Sequence, residues 1–298
     1  MIARRHALAL AAGTAVAAGA LVVAAVARSL AADDTPPAPQ PTALERAVAA
    51  GKHWRLDTAS GPVHVWVPAG YHADGAATIL YVHGYYTDVD RAWDEHRLAE
   101  QFALSSINAL FIAPEAPAHA RNSVSWPELT TLLTEVAAAI DVPRPQGITV
   151  AVGHSGGYRT VDRWLDHPAL ELVIAVDSMY GDVAELEAWL AVSPEHRLIM
   201  IGDNTLRWTE ELARELGDDV LALDRFPDDD RGLPEAARTA RVVYVRSQLG
   251  HMPLVTEGIA LPMMLRLVPA EILDGSPWYQ PYGLPPRPID AGVDGSRR

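Results

Sequence analysis

Cysteine is absent from the 298 residues. That absence excludes a disulfide framework, a thiolate zinc site and a cysteine nucleophile. It does not argue against export, because a chain of this length builds a core that needs no disulfides. Positive charge is scarce: 24 Lys and Arg stand against 38 Asp and Glu, for a formal net charge of −14. With no basic patch, the balance argues against nucleic acid as a partner and against adsorption to anionic membrane surfaces. Charge of either sign is modest at 21%, while hydrophobic residues reach 49%. That ratio excludes disorder by composition and leaves enough apolar surface for a sizeable core. Length alone allows one large domain or two small ones.

Charge is also missing from Ala7 to Ala27, where Ala, Leu and Val dominate, just after Arg4-Arg5. Ser29-Leu30-Ala31 then places small residues at the two positions a signal peptidase reads. A positive start, an apolar middle and a small-residue end form the layout of a signal peptide over residues 1–31. The adjacent arginines match the twin-arginine export motif only loosely. The alternative is an uncleaved membrane anchor, since 21 apolar residues can span a bilayer. Either reading puts the rest of the chain outside the cytoplasm: periplasmic, secreted or membrane-tethered. Residues 32–43 carry four prolines and read as an extended linker, because proline joins neither helix nor ladder. The folded domain is expected over 44–270, followed by a Pro/Gly-rich tail, 271–298, that wraps the surface or stays mobile. No internal repeat is found.

Between these ends, short apolar runs alternate with helical patterns. His64–Val67 follows Gly61-Pro62 and should pair with the segment around Trp54 as a hairpin. Strands are expected at Thr78–Val82, Ala109–Ile112, Ile148–Val152, Leu172–Val176, Leu198–Ile201 and Val242–Val245. Residues 90–104 have helical spacing, with Trp93, Leu98 and Phe102 on one face. Trp126-Pro127 opens a helix to about Ile140, with proline in the first turn where its missing N–H costs nothing. The strand runs are continuously apolar rather than alternating, which suits strands covered by helices on both faces. The expected class is therefore α/β: a doubly wound, mostly parallel sheet flanked by helices.

Gly153-His154-Ser155-Gly156-Gly157 fits Gly-x-Ser-x-Gly. The pattern alone is common, but here it follows a buried strand and precedes a helix expected from about Tyr158 to Asp166. A sharp strand-to-helix turn lifts the serine Oγ clear of the sheet, and flanking glycines avoid steric clash at that turn. A serine hydroxyl is a poor nucleophile until a base takes its proton. His251, in Gly250-His251-Met252-Pro253 just past the last strand, is the candidate base. His167 and His196 precede strands and so sit at the wrong end of a sheet whose sites form at strand carboxyl ends. Donors for a developing oxyanion are also needed. His83-Gly84-Tyr85 ends the first long buried strand and turns the Tyr85 N–H toward the serine; the Gly156 N–H is the second donor.

This order resembles the α/β-hydrolase fold superfamily over roughly residues 53–266. The resemblance implies a Ser–acid–His triad and hydrolysis of an ester, thioester or amide through an acyl-enzyme. It falters at the acid. The superfamily most often places it three residues after a glycine in the loop after the next strand but one, where this chain reads Gly202-Asp203-Asn204-Thr205. Thr205 cannot carry the charge, and Asp203 is displaced by two residues. One strand earlier, Asp177 ends Ile174-Ala175-Val176, a location some lipases of the superfamily use. Asp177 is favoured and Asp203 is the alternative; either must orient the imidazole and stabilise its charged form.

Tyr86, Trp126 and Tyr180, with Tyr85, are expected to line a substrate pocket. Glu115 and the run Asp228-Asp229-Asp230 read as solvated loop carboxylates, so no metal is assigned and no cofactor is implied. The expected activity is hydrolysis of a carboxylic ester on a small or peptide-like acyl substrate. The alternatives are a peptidase or amidase of cell-envelope peptides and a non-catalytic binding protein on the same fold.

Overall fold

The computed structural model describes residues 40–181, 183–227, 233–273 and 284. The chain divides before Thr42, and the unit from Thr42 onward carries all the elements below. The expected export segment, most of the linker, Asp228-Asp229-Asp230 and nearly all of the tail lie outside the described residues. Among the described residues, no helix is long and apolar enough to cross a membrane.

Nine strands form one sheet: β1 (Lys52–Leu56), β2 (Val63–Val67), β3 (Ala77–Val82), β4 (Ala109–Pro114), β5 (Thr149–His154), β6 (Leu170–Val176), β7 (Arg197–Gly202), β8 (Val220–Leu223) and β9 (Val242–Arg246). Their order across the sheet is β1-β2-β4-β3-β5-β6-β7-β9-β8. The hairpin β1–β2 and the β2–β4 pair are antiparallel; every other pair is parallel. The helices are α1 (Ala43–Ala50), α2 (Val89–Glu95), α3 (Leu98–Ser105), α4 (Leu129–Ala139), α5 (Tyr158–Asp162), α6 (Val183–Val192), α7 (Leu206–Leu216), α8 (Glu235–Thr239), α9 (Pro253–Thr256) and α10 (Ala260–Leu265).

The apolar runs have a direct physical reason. Successive side chains of a strand point to opposite faces. Ile79, Val152 and Ile174 therefore pack on one side with Leu98, Phe102 and Met264 of α3 and α10. Leu80, Ala151 and Val173 pack on the other with Leu132, Trp189 and Leu212 of α4, α6 and α7. Both faces are buried, so apolar residues dominate both positions of the alternation.

Three local expectations differ from the fold. The single helix expected over 90–104 is two helices, α2 and α3, broken where Arg97 takes a left-handed conformation at φ 52°. The buried His96 ring meets the Tyr81 hydroxyl at 2.7 Å, and the Gln101 amide donates to the His96 carbonyl that the break frees. A buried carbonyl must find a donor, and here a side chain replaces the helix. The helix after Pro127 begins only at Leu129, and the helix after Ser155 ends at Asp162, not near Asp166. Neither α1, closed by a Thr42–Glu45 capping box, nor the edge strand β8 was expected.

The topology also creates a crevice. After β3 the chain moves out to β4, then returns to the other side of β3 for β5. Such a reversal opens a gap beyond the carboxyl ends of the two central strands, where ligands bind in open α/β sheets.

Candidate active site

Ser155 leaves β5 at that crevice with φ 52°. The left-handed region is strained for any residue with a Cβ. Asp177, at the end of β6, has φ 46°, and Tyr86, beyond β3, has φ 66°. Strain of this kind costs on the order of 1–3 kcal/mol per residue and persists where its surroundings dictate it. Three of the five non-glycine residues with positive φ among those described therefore sit around one crevice.

The approach of β3 to the serine is equally tight. A Cβ built on Gly84 would stand 2.6 Å from the Ser155 Cβ, so only glycine fits there. His83 fixes this turn: its Nε2 accepts from the Ala116 N–H at 3.1 Å, so its proton lies on Nδ1 and is donated to the Gly84 carbonyl at 2.8 Å. The Tyr86 N–H is taken by the Ala118 carbonyl at 2.8 Å, whereas no backbone hydrogen bond among the described residues consumes the Tyr85 N–H. The Tyr85 ring lies against Gly156, where a Cβ would be 2.5 Å from it. Gly156 sits in the 3₁₀ turn Ser155–Gly157 that leads into α5, and the first N–H groups of a helix have no partner within it.

His251 and Asp177, the candidate base and acid, meet from opposite sides of β7. His251 Nδ1 donates to Asp177 Oδ2 at 2.5 Å. Asp177 is fully buried, and four further donors close on it: the N–H groups of Asp203, Asn204 and Thr205 at 2.8, 3.1 and 2.8 Å, and the Thr205 hydroxyl at 2.7 Å. Burial raises the Asp177 pKa, but the bonds from His251 and from the Asp203 and Thr205 groups outweigh it and hold the carboxyl well below its usual range. The carboxylate is therefore ionised and acceptor-only. Asp203 contributes its backbone N–H to Asp177; its own carboxylate is not bonded to His251.

A cleft of about 560 Å³ opens over these groups. Ser155, Gly156, His251, Tyr85, Tyr86 and Tyr180 all line it. Burial, with the Asp177 charge, pushes the Tyr180 hydroxyl pKa up; Tyr180 and Ser155 line the same cleft. Tyr86 is 79% exposed and Met252 is 43% exposed, so two of the three exposed large hydrophobic residues among those described stand on the cleft rim.

Two sequence expectations are corrected. Trp126 does not line the cleft: its ring is buried among Leu129, Leu132 and Trp164, and its carbonyl accepts from the Trp164 indole at 2.8 Å. The apolar bulk of a tryptophan is better placed between helix and sheet than in a polar crevice. Glu115 is not a solvated carboxylate; it accepts from the Val89 N–H at 3.0 Å and caps the start of α2. Residues with no sequence expectation also gather here. Thr205 and Asn204 donate to the acid, and His154 and His96 line the cleft. His154 is the variable position of the Gly-x-Ser-x-Gly motif, and the motif carries no signal for it.

No protein-family profile matches the chain, and no curated protein matches its sequence. Solved structures do. A ferulic acid esterase superposes with a TM-score of 0.51 at 11% identity, over 73% of this chain and 98% of that one. The feruloyl esterase module of Clostridium thermocellum gives 0.48 at 12%, covering 76% and 92%. A dienelactone hydrolase from Anabaena variabilis gives 0.47 at 11%, covering 73% and 95%. At such identities the likeness concerns the fold: the chain has the α/β-hydrolase fold, with a mostly parallel mixed sheet between helical layers.

Proposed function

We propose that the protein hydrolyses carboxylic esters through an acyl-enzyme on Ser155. The observation that carries this is the short bond from His251, which lines the same cleft as Ser155 at the switch point of the sheet, to the buried, five-fold bonded Asp177 behind it. His251 takes the Ser155 proton as Oγ attacks the acyl carbon, then returns it to the departing alcohol. Water next attacks the acyl-enzyme, giving its proton to His251, and the acid leaves as Oγ regains a proton. Through both steps the Tyr85 and Gly156 N–H groups face the oxyanion, and Asp177 keeps the imidazole oriented and balances its charge. The feruloyl esterases among the similar folds favour an ester over an amide. The tyrosines and Met252 around the cleft favour an apolar or planar group on one side of the bond. Tyr86, Tyr85 and Tyr180 are its proposed contacts.

A fluorophosphonate probe tests the chemistry. Stoichiometric labelling of the folded protein is expected, lost in Ser155→Ala, with ester turnover falling by several orders of magnitude. A folded wild-type protein that takes no label and cleaves no ester in a panel of aliphatic and aromatic esters overturns the proposal. Turnover of peptides or anilides in place of esters would shift it to the amidase reading.

We further propose that the domain works outside the cytoplasm, on the strength of the charge-free run after Arg4-Arg5. Residues 1–43 fused to a reporter that is active only after export are expected to give signal, and Leu8→Arg with Leu21→Arg to abolish it. A reporter that stays in the cytoplasm removes this part of the reading.

A further inference from the structure

Behind the proposed base stands a column of buried imidazoles to which the ester mechanism gives no task. The His154 ring lies 4.6 Å from the His251 ring, inclined by 32°. The edge of His96 meets His154 at 5.6 Å and 90°, and His96 Nδ1 is 2.7 Å from the Tyr81 hydroxyl. His154 and His96 are both about 2% exposed. Burial, together with the nearby His251 and His96 rings, pushes the His154 pKa well down. Burial, with His83 and His251, takes His96 to about 4. Both rings are therefore neutral at the pH where a serine hydrolase works.

The neutral His154 ring has one proton to place. Its Nε2 lies 3.3 Å from the backbone carbonyl of His251. A carbonyl only accepts, so Nε2 carries the hydrogen and Nδ1 is bare. Nδ1 is buried and has no hydrogen-bond partner among the described residues. An unpaired buried nitrogen is a cost that phenylalanine, with a somewhat larger ring, would avoid. The compensating gain is at the other nitrogen, on the His251 backbone. A second tether reaches the same loop: buried Gln101 donates both to the His96 carbonyl and to the Val255 carbonyl of α9, which starts two residues after His251.

The geometry needs such tethers. His251 sits in a loop, and its side chain is 23% exposed. The Asp177 bond fixes one ring nitrogen but leaves the backbone position open. Catalysis needs the other nitrogen held at Ser155, and a misplacement of about 1 Å can cost roughly 100-fold in rate.

We propose that His154 is a positioning residue for the base: its Nε2–H holds the His251 carbonyl, and its ring face, backed by His96 and Tyr81, sets the plane of the His251 imidazole. This rests on the serine-hydrolase reading. The test uses His154→Phe, which keeps a ring but loses the N–H, and His154→Gln, which keeps an N–H donor but loses the ring. With a short-chain aryl ester, His154→Phe is expected to lower kcat about 10- to 100-fold with KM within about twofold, while the fluorophosphonate labelling rate of Ser155 falls by a similar factor. The loss in kcat should persist in the folded fraction whatever the change in thermal stability, and His154→Gln should recover part of kcat. A purely structural role would instead lower stability and leave kcat of the folded fraction unchanged. Wild-type kcat and labelling rate in folded His154→Phe overturn the proposal. If that variant fails to fold, His154→Gln decides: kcat equal to the wild type sinks it, and a loss in kcat at constant KM upholds it. Absence of labelling in the wild-type protein would strike the serine-hydrolase reading itself, and this inference with it.

Discussion

Asp177 and Asp203 look alike in sequence, each a loop aspartate just past a buried strand, yet their environments diverge completely. Asp177 is enclosed and accepts five hydrogen bonds; the Asp203 side chain is exposed and only its N–H takes part. Asp177→Asn should therefore lower kcat by on the order of 10⁴, the scale seen when a triad acid is neutralised with its geometry intact. Asp203→Asn should change kcat by less than about threefold, because its backbone donor remains. Equal losses in the two variants would show that the hydrogen-bond geometry misassigns the acid. The same contrast has a pH signature. The Asp177 carboxyl titrates well below its usual range when folded and at about 3.9 when unfolded. Its stabilisation is thus complete above that ordinary value and is lost as the pH falls below it. Urea midpoints measured from pH 6 down to pH 3 should drop less steeply for Asp177→Asn than for the wild type. The residues that sequence made legible here were those whose chemistry is carried by type and place: a serine at a strand-to-helix turn and a histidine after the last strand. Legibility failed where a role depends on what surrounds a side chain. No pattern in Asp203-Asn204-Thr205 says that its N–H groups turn inward on a carboxylate 26–28 residues earlier.

At the scale of elements, continuous apolar runs located the parallel strands because burial on both faces leaves no other pattern. Helix limits were less readable. Residues 90–104 keep helical spacing of apolar side chains across a real break, since α2 and α3 pack on the same side of the sheet. What ends α2 is a tertiary contact, His96 to Tyr81, that spacing cannot reveal. Gln101 is the visible trace of it: an amide on an otherwise apolar helix face, fully buried, with one donor nitrogen serving two carbonyls. Gln101→Ala should destabilise the fold by about 2–4 kcal/mol, since two buried carbonyls each lose a donor at roughly 1–3 kcal/mol, partly relieved by entering water. Chemical denaturation measures this, and a change under about 0.5 kcal/mol would mean that the break between α2 and α3 does not depend on the side chain. Trp126 shows the opposite error. A tryptophan near a strand end reads as a pocket wall, but the Trp164 indole ties it into the helical layer instead.

Over the whole molecule, the catalytic candidates come from separate strands of one sheet: Tyr85 after β3, Ser155 after β5, Asp177 after β6 and His251 after β9. The middle of the sheet thus carries the proposed nucleophile and oxyanion donors, and Asp177 and His251 reach each other across the end of β7. The loop after β7 occupies the place where the acid usually stands in proteins with this fold, and it supplies three N–H groups and a hydroxyl to a carboxylate rooted in the neighbouring strand. The anion and its cradle have been divided between two loops. The position three past Gly202 is Thr205, which brings donors to the carboxylate and no charge of its own. In this chain the point in space where negative charge is welcome is built by the loop after β7, and the carboxylate is sent there from the end of β6.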